Sequence, residues 1–205
     1  MEKHVRNGKV AYSEIHDNPS ELQKILALAE EIEVDKSDAN TYKAFWINAY
    51  NLLTIKGIID NHPVKSPLDV SGFFDKIQYK VGGTSITLNS IENDLLRGNF
   101  EDPRFHFVLV CGAVGCPPII DSAYKPNTLD AQLDKQTKLA INGNFIKVNH
   151  KKKRVEASEI MKWYNEDFIL SGQSEIDFIN TYRTEKIPND YKLTYYPYNW
   201  NLNKQ

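Results

Sequence analysis

Cysteine is the strongest nucleophile a protein carries near neutral pH, provided a base or a positive field lowers its pKa. Both cysteines of this chain fall in one short segment, Arg104-Phe-His-Phe-Val-Leu-Val-Cys111-Gly-Ala-Val-Gly-Cys116-Pro-Pro. Cys111 is read as a nucleophile, with Cys116 as its substitute or redox neighbour and His106 as a base or ion-pair partner. Local geometry opposes a direct His106–Cys111 contact. If Phe105–Cys111 is an extended strand, five residues separate the two by about 17 Å. The odd offset also turns them to opposite faces. A histidine must then be brought near by tertiary folding. If residues 112–115 reverse the chain, Cys116 returns beside Cys111, where two thiols can form a disulfide or act as a dithiol. The third reading is that both are small buried structural residues, since cysteine is among the most buried types. Two cysteines without a companion metal-binding pair give no metal site, and no cofactor is expected.

Four further residues join this set. Glu92 is a candidate base or an orienting group for a histidine. Asn89-Ser90-Ile91-Glu92 also reads as a helix cap with a capping box, which gives Glu92 a purely structural task. Arg97, in the last turn of that helix, interacts favourably with its dipole or binds a substrate carboxylate. Asn48 and Asn51 lie at i and i+3 in Phe45-Trp-Ile-Asn-Ala-Tyr-Asn-Leu-Leu53, hence on one helical face. Two amides in an apolar helix must be hydrogen-bonded. They bind a substrate amide or orient a catalytic group, or else they tie down a neighbouring loop backbone.

The elements that must position these groups follow from periodicity. Asn18-Pro19-Ser20-Glu21 reads as a capped helix start, with Leu22, Ile25, Leu26, Ala29 and Ile32 at helical spacing. A long helix over about Asn40–Ile59 is apolar nearly all round and therefore central. Ser66-Pro67-Leu68-Asp69 opens a short one. Ile77–Val81 and Thr84–Leu88 flank Gly82-Gly83 as a hairpin. Helices are expected over Asn127–Asn142, Ser158–Leu170 and Ser174–Tyr182. A second hairpin joins Phe145–Asn149 to Arg154–Ala157 through the charged tip His150-Lys-Lys-Lys-Arg154, read as a solvated turn. A late strand covers Leu193–Tyr196. The aromatic segment Tyr195-Tyr-Pro-Tyr-Asn-Trp200 reads as a clasp packed across the domain, or as an exposed platform. Strands and helices mix without strict alternation. This predicts an α+β fold: one domain over residues 1–205, with a small, mostly antiparallel sheet packed around a buried central helix.

Composition sets the outer limits. The 205 residues are 41% hydrophobic and 11% aromatic, enough for a core without disulfide staples. The formal charge of −2, from 25 basic and 27 acidic side chains, gives no electrostatic case for nucleic acid. No run approaches the roughly 20 apolar residues of a membrane span. The start, Met1-Glu-Lys-His-Val-Arg, has no hydrophobic leader. Location is left open: cytoplasmic as written, exported to the periplasm or cell envelope if a signal has been trimmed.

Taken together, several segments resemble the domain of unknown function 547 family, found in bacteria and eukaryotes. They are Ala44-Phe-Trp-Ile-Asn-Ala-Tyr-Asn51, Ser90-Ile-Glu92 with Leu96-Arg97, His106-Phe107 with Cys111-Gly112 and Cys116-Pro117-Pro118, Trp163-Tyr164 with Asp167-Phe168, and Tyr198-Asn-Trp-Asn-Leu-Asn203. The resemblance implies one α+β domain along the chain and no settled activity. A papain-like relationship to thiol hydrolases is a hypothesis it carries. It also implies that bacterial relatives are often exported and that some eukaryotic relatives are fused to a glutaredoxin-like domain. One departure stands out: relatives place histidine directly after the glutamate, where this chain has Asn93. Three functions follow as expectations. The first is a thiol-dependent hydrolase or acyltransferase on a small-molecule, peptide-like or amide substrate. The second is a non-catalytic ligand-binding module of the cell envelope. The third is a dithiol redox element.

Overall fold

Interrupted periodicities give mostly short elements joined by tight turns, with one long exception. The computed structural model describes residues 2–205. The order is β1 (Val5–Arg6), β2 (Lys9–Val10), α1 (Tyr12–Asp17), α2 (Ser20–Glu30), α3 (Ala39–Asp60), β3 (Tyr79–Val81), β4 (Thr84–Ile86), α4 (Leu88–Ser90), α5 (Leu129–Asn142), β5 (Ile146–Asn149), β6 (Arg154–Ser158), α6 (Glu159–Trp163), α7 (Asn165–Phe168), α8 (Glu175–Tyr182) and β7 (Lys192–Tyr196). A π-helical stretch, Ile91–Arg97, continues α4. The expected α+β mixture is what the chain forms. Its strands divide into three small sheets: two antiparallel hairpins, β1–β2 and β3–β4, and a sheet ordered β5–β6–β7. In the last, β6 runs antiparallel to β5 and parallel to β7, with Ala157 opposite both Ile146 and Tyr195.

Two cores organise these elements. The first surrounds α3, whose start is fixed by the Asp38 side chain accepting from the Thr41 N–H. Ile47, Leu53 and Ile58 of this helix pack with Val81, Leu88, Ile91, Leu96 and Leu133. The second core joins the three-stranded sheet to α5–α8 through Ile141, Val155, Ala157, Met161, Phe168 and Phe178. Phe105 and Val108–Val110 belong to the first core, whereas Phe107 belongs to the second. Cys116 packs against both. The cysteine-bearing segment therefore runs along the seam.

That segment is not the strand its composition predicts. Pro103–Phe107 winds into a 3-10 helix, capped by Asp102, whose carboxylate accepts from the Arg104 N–H. Proline at the first helical position suits this turn. Arg104 then holds Asp102 through two nitrogens and reaches Asp130 and Asp134 on α5, each at 2.8 Å. Beyond the turn, Val108–Val110 is buried but pairs with no strand. Asn51 supplies the missing edge: its amide donates to the Val108 carbonyl at 2.9 Å and accepts from the Val110 N–H at 2.8 Å. Buried backbone groups need partners whatever their source, and one side-chain amide satisfies two of them.

Other differences are local. Asn18 does not cap α2, because α1 ends directly against it. The expected helix over Ser158–Leu170 breaks at Tyr164, which leaves helical geometry between α6 and α7. Asn48 acts as Asn51 does, clamping the Tyr124 backbone through its carbonyl at 2.8 Å and its N–H at 2.9 Å.

Replacing Asn51 by alanine orphans a buried carbonyl and a buried N–H together. Asn51→Ala is expected to cost about 2–4 kcal/mol in urea unfolding, the penalty of two unsatisfied groups. A loss below about 0.5 kcal/mol would contradict this account of the seam.

Candidate functional site

The seam opens into a cavity of about 300 Å³. The Cys111–Cys116 loop supplies one wall. Residues 112–115 reverse the chain, and the two sulfurs are joined at disulfide distance across a Cα separation of 6.4 Å, ordinary for a bridge. Two glycines make the reversal possible. Gly112 has φ of +82°, and a Cβ there would lie 2.5 Å from Ile58 Cδ1. A Cβ on Gly115 would press on the Tyr198 ring at 2.7 Å. The C-terminal segment fastens the loop from outside, since the N–H groups of Val114 and Gly115 donate to the carbonyls of Asn201 and Asn199. The clasp expected of the aromatic tail is therefore formed largely by backbone hydrogen bonds.

Tyr198 is the group in contact with sulfur. Its hydroxyl lies 2.9 Å from both Cys111 Sγ and Cys116 Sγ. Cys116 Sγ also accepts from the backbone N–H of Cys111 at 3.0 Å. Cys116 thus faces two donors and Cys111 one. Burial, followed by the nearby charge of Glu92, pushes the Tyr198 hydroxyl well above the ordinary tyrosine range, so it remains a donor.

Glu92 reaches the cavity because it is not a capping residue. The side chain that caps α4 is Thr87, accepting from the Ser90 N–H at 3.0 Å, and Ser90 makes no side-chain cap. The π-helical stretch then re-aims the following side chains, as such bulges often do at functional sites. Glu92 accepts from the Tyr50 hydroxyl at 3.1 Å. The Tyr50 and Tyr164 hydroxyls are both held protonated, first by burial and then by the charge of Glu92.

His106 enters from the 3-10 turn. Its Nε2 meets Asp167 Oδ2 at 2.6 Å, and its ring lies 4.2 Å from that of Tyr164. Asp167 is shared with Arg97, which donates to it from Nε at 2.6 Å and Nη2 at 3.0 Å. Arg97 also donates to Asn93 and stacks over the Tyr164 ring at 4.6 Å. Burial works against the charge on Asp167, but the hydrogen bonds from His106 and Arg97 prevail and hold its carboxyl well below the usual range.

Glu92, His106, Cys111 and Cys116 all line the one cavity. His106 sits on a 3-10 turn rather than on an extended strand, and it lines the same cavity as Cys111. Asn48 and Asn51 do not line it, and their amides are committed to backbone. Arg97 is committed to Asp167 and Asn93. The sequence offered no local reason to add Tyr50, Tyr164, Asp167 or Tyr198. Their segments stood out as parts of the family resemblance and, around Tyr198, as an aromatic run, but nothing near them in sequence pointed at the cysteine loop. Among the described residues no group of three or more His, Cys, Asp or Glu is arranged to hold a metal ion. No helix among them is long and apolar enough to cross a membrane.

The family model described as "Protein of unknown function, DUF547" matches residues 34–139, just over half of the chain. That stretch holds α3, the π-helical turn, His106 and both cysteines. No curated protein and no solved structure matches the chain.

The depressed Asp167 carboxyl links this site to acid stability. A group whose pKa is lower folded than unfolded adds stability above its unfolded pKa, and loses it as pH falls toward the folded value. Against the reference value of 3.8, the loss begins near pH 4 and continues below. Asp167→Asn should therefore flatten the decline of urea-unfolding stability below pH 4. Parallel declines in variant and wild type would contradict the assignment.

Proposed function

The chain belongs to the DUF547 family of proteins of unknown function, and from that premise we propose that its cavity carries out thiol–disulfide exchange, with Cys111 and Cys116 as the reacting pair. The observation that carries this reading is the shared Tyr198 hydroxyl, 2.9 Å from each of two paired sulfurs that line an open cavity. A protonated hydroxyl at the bond stabilises a sulfur that leaves as the thiolate.

The donors give the exchange a direction. A substrate thiolate attacks Cys111 Sγ, the new sulfur–sulfur bond forms, and the Cys111–Cys116 bond breaks. Cys116 leaves as the thiolate, since its sulfur accepts from the Cys111 N–H and the Tyr198 hydroxyl. Leaving is faster from the sulfur whose thiolate is the more stable. A second substrate thiolate then attacks the substrate sulfur of the mixed disulfide and releases Cys111. Two thiols are oxidised to a disulfide, the protein pair accepts the two electrons, and protons return to the sulfurs from solvent while Tyr198 stays a hydrogen-bond donor. The reverse sequence oxidises the protein and reduces the substrate.

A second reading uses the reduced state of the same cavity. It is a thiol-dependent hydrolase or acyltransferase on a peptide-like or amide substrate, in which Cys111 attacks and His106, oriented by Asp167, carries the proton. The 2.6 Å His106–Asp167 bond favours it. Exchange ranks ahead because, among the described residues, the side-chain partner of both sulfurs is Tyr198 rather than His106.

The test is an acid-quenched time course of the oxidised protein with 2-mercaptoethanol, mapped by peptide mass spectrometry. The transient adduct is expected on Cys111, with Cys116 free. A pair that stays closed while the protein is folded overturns the reading and leaves the cavity as a ligand-binding module. An adduct on Cys116 overturns the direction assigned.

A further inference from the structure

Resting on the exchange reading above, we propose that this cavity selects thiols and disulfides that carry a cationic amino group, and that Glu92 is the group that binds it. No lysine or arginine lines the cavity among the described residues, and the ionisable groups there besides tyrosine and the sulfurs are Glu92 and His106. His106 is paired with Asp167. Arg97, stacked over the Tyr164 ring, is also taken by Asp167, through two hydrogen bonds. Glu92 has the Tyr50 hydroxyl as its hydrogen-bond partner, the Tyr164 hydroxyl close by, and no salt bridge among the described residues; Arg97 reaches it only as a longer-range charge. A half-buried carboxylate with no cation in contact leaves room for one, and a cation supplied by the substrate takes that place.

The walls point the same way. Trp163, Tyr198 and Trp200 form a cluster with ring centroids 4.7–5.9 Å apart. All three line the cavity, and Trp163 remains 45% exposed. Aromatic faces attract ammonium groups through their quadrupoles, and such walls beside a carboxylate form a cage for an amine. A substrate carboxylate would instead meet Glu92 with no cation to pair with. An aminothiol, or a peptide presenting an amine next to its sulfur, places both its charge and its reactive atom in this one cavity.

The test compares three small thiols as reductants of the oxidised protein: cysteamine (cationic), 2-mercaptoethanol (neutral) and 3-mercaptopropionate (anionic). Each rate is divided by that thiol's rate against a small reference disulfide, which removes its own nucleophilicity. Cysteamine is expected to exceed 3-mercaptopropionate by about tenfold. Glu92→Gln should bring that ratio toward one, and Glu92→Asp, which keeps the charge, should retain most of it. If Glu92→Gln does not fold, raising the salt concentration on the wild type should narrow the ratio instead. Equal normalised rates for the three thiols on the wild type overturn charge selection and leave exchange standing. No reaction with any of them overturns exchange itself, and this proposal with it.

Discussion

The backbone from Val108 to Val110 crosses the interior between two cores without a strand beside it, and everything at the site depends on how its polar groups are satisfied. Asn51 does so from the central helix, meeting one carbonyl and one N–H with a single amide. The same device recurs one turn earlier, where Asn48 clamps Tyr124. A paired strand would have flattened this segment into a sheet. A side-chain clamp leaves it free to begin in a 3-10 turn and end in a cysteine loop. His106 and Cys111 thereby come to line one cavity from a short stretch of chain.

A second constraint is electrostatic. Asp167 holds two partners at once, and neither Arg97 nor His106 makes a salt bridge to Glu92 among the described residues, Arg97 acting on it only at longer range. The cavity wall thus carries a histidine whose partner Asp167 lies outside the lining, together with a carboxylate, tyrosine hydroxyls and two sulfurs. Tyr198 connects this wall to the fold: its hydroxyl touches sulfur, its ring packs on Gly115, and its N–H donates to Glu159 on α6. The C-terminal segment therefore belongs to the site as much as the cysteine loop does, although it lies outside the stretch matched by the family model.

Much of this was legible in the sequence, for identifiable reasons. The long helix is apolar nearly all round, so burial was its only stable solution, and Ala39–Asp60 forms close to the expected limits. The short spacing of the two cysteines left a paired and an unpaired reading open, and the reversal of residues 112–115 brings the sulfurs to disulfide distance. The Phe105–Cys111 strand failed because its apolar, β-prone residues report burial rather than conformation. Asp102-Pro103 initiates a 3-10 turn, and the Asn51 clamp replaces the ladder that a strand would need. Glu92 seemed to have a structural task, but Thr87 performs the capping, and a π-helical turn has no simple sequence signature. Asp167 and Tyr198 act across separations of 61 and 87 residues, beyond the reach of any local pattern.

The central claim is that the sulfur pair is a working redox couple. It is tested most directly by equilibrating the protein against thiol–disulfide buffers while circular dichroism follows the fold. Two donors on Cys116 stabilise the reduced form, so the midpoint should lie above about −300 mV, with the protein folded in both states. A midpoint below that value, or reduction only on unfolding, would show a structural disulfide and contradict the account.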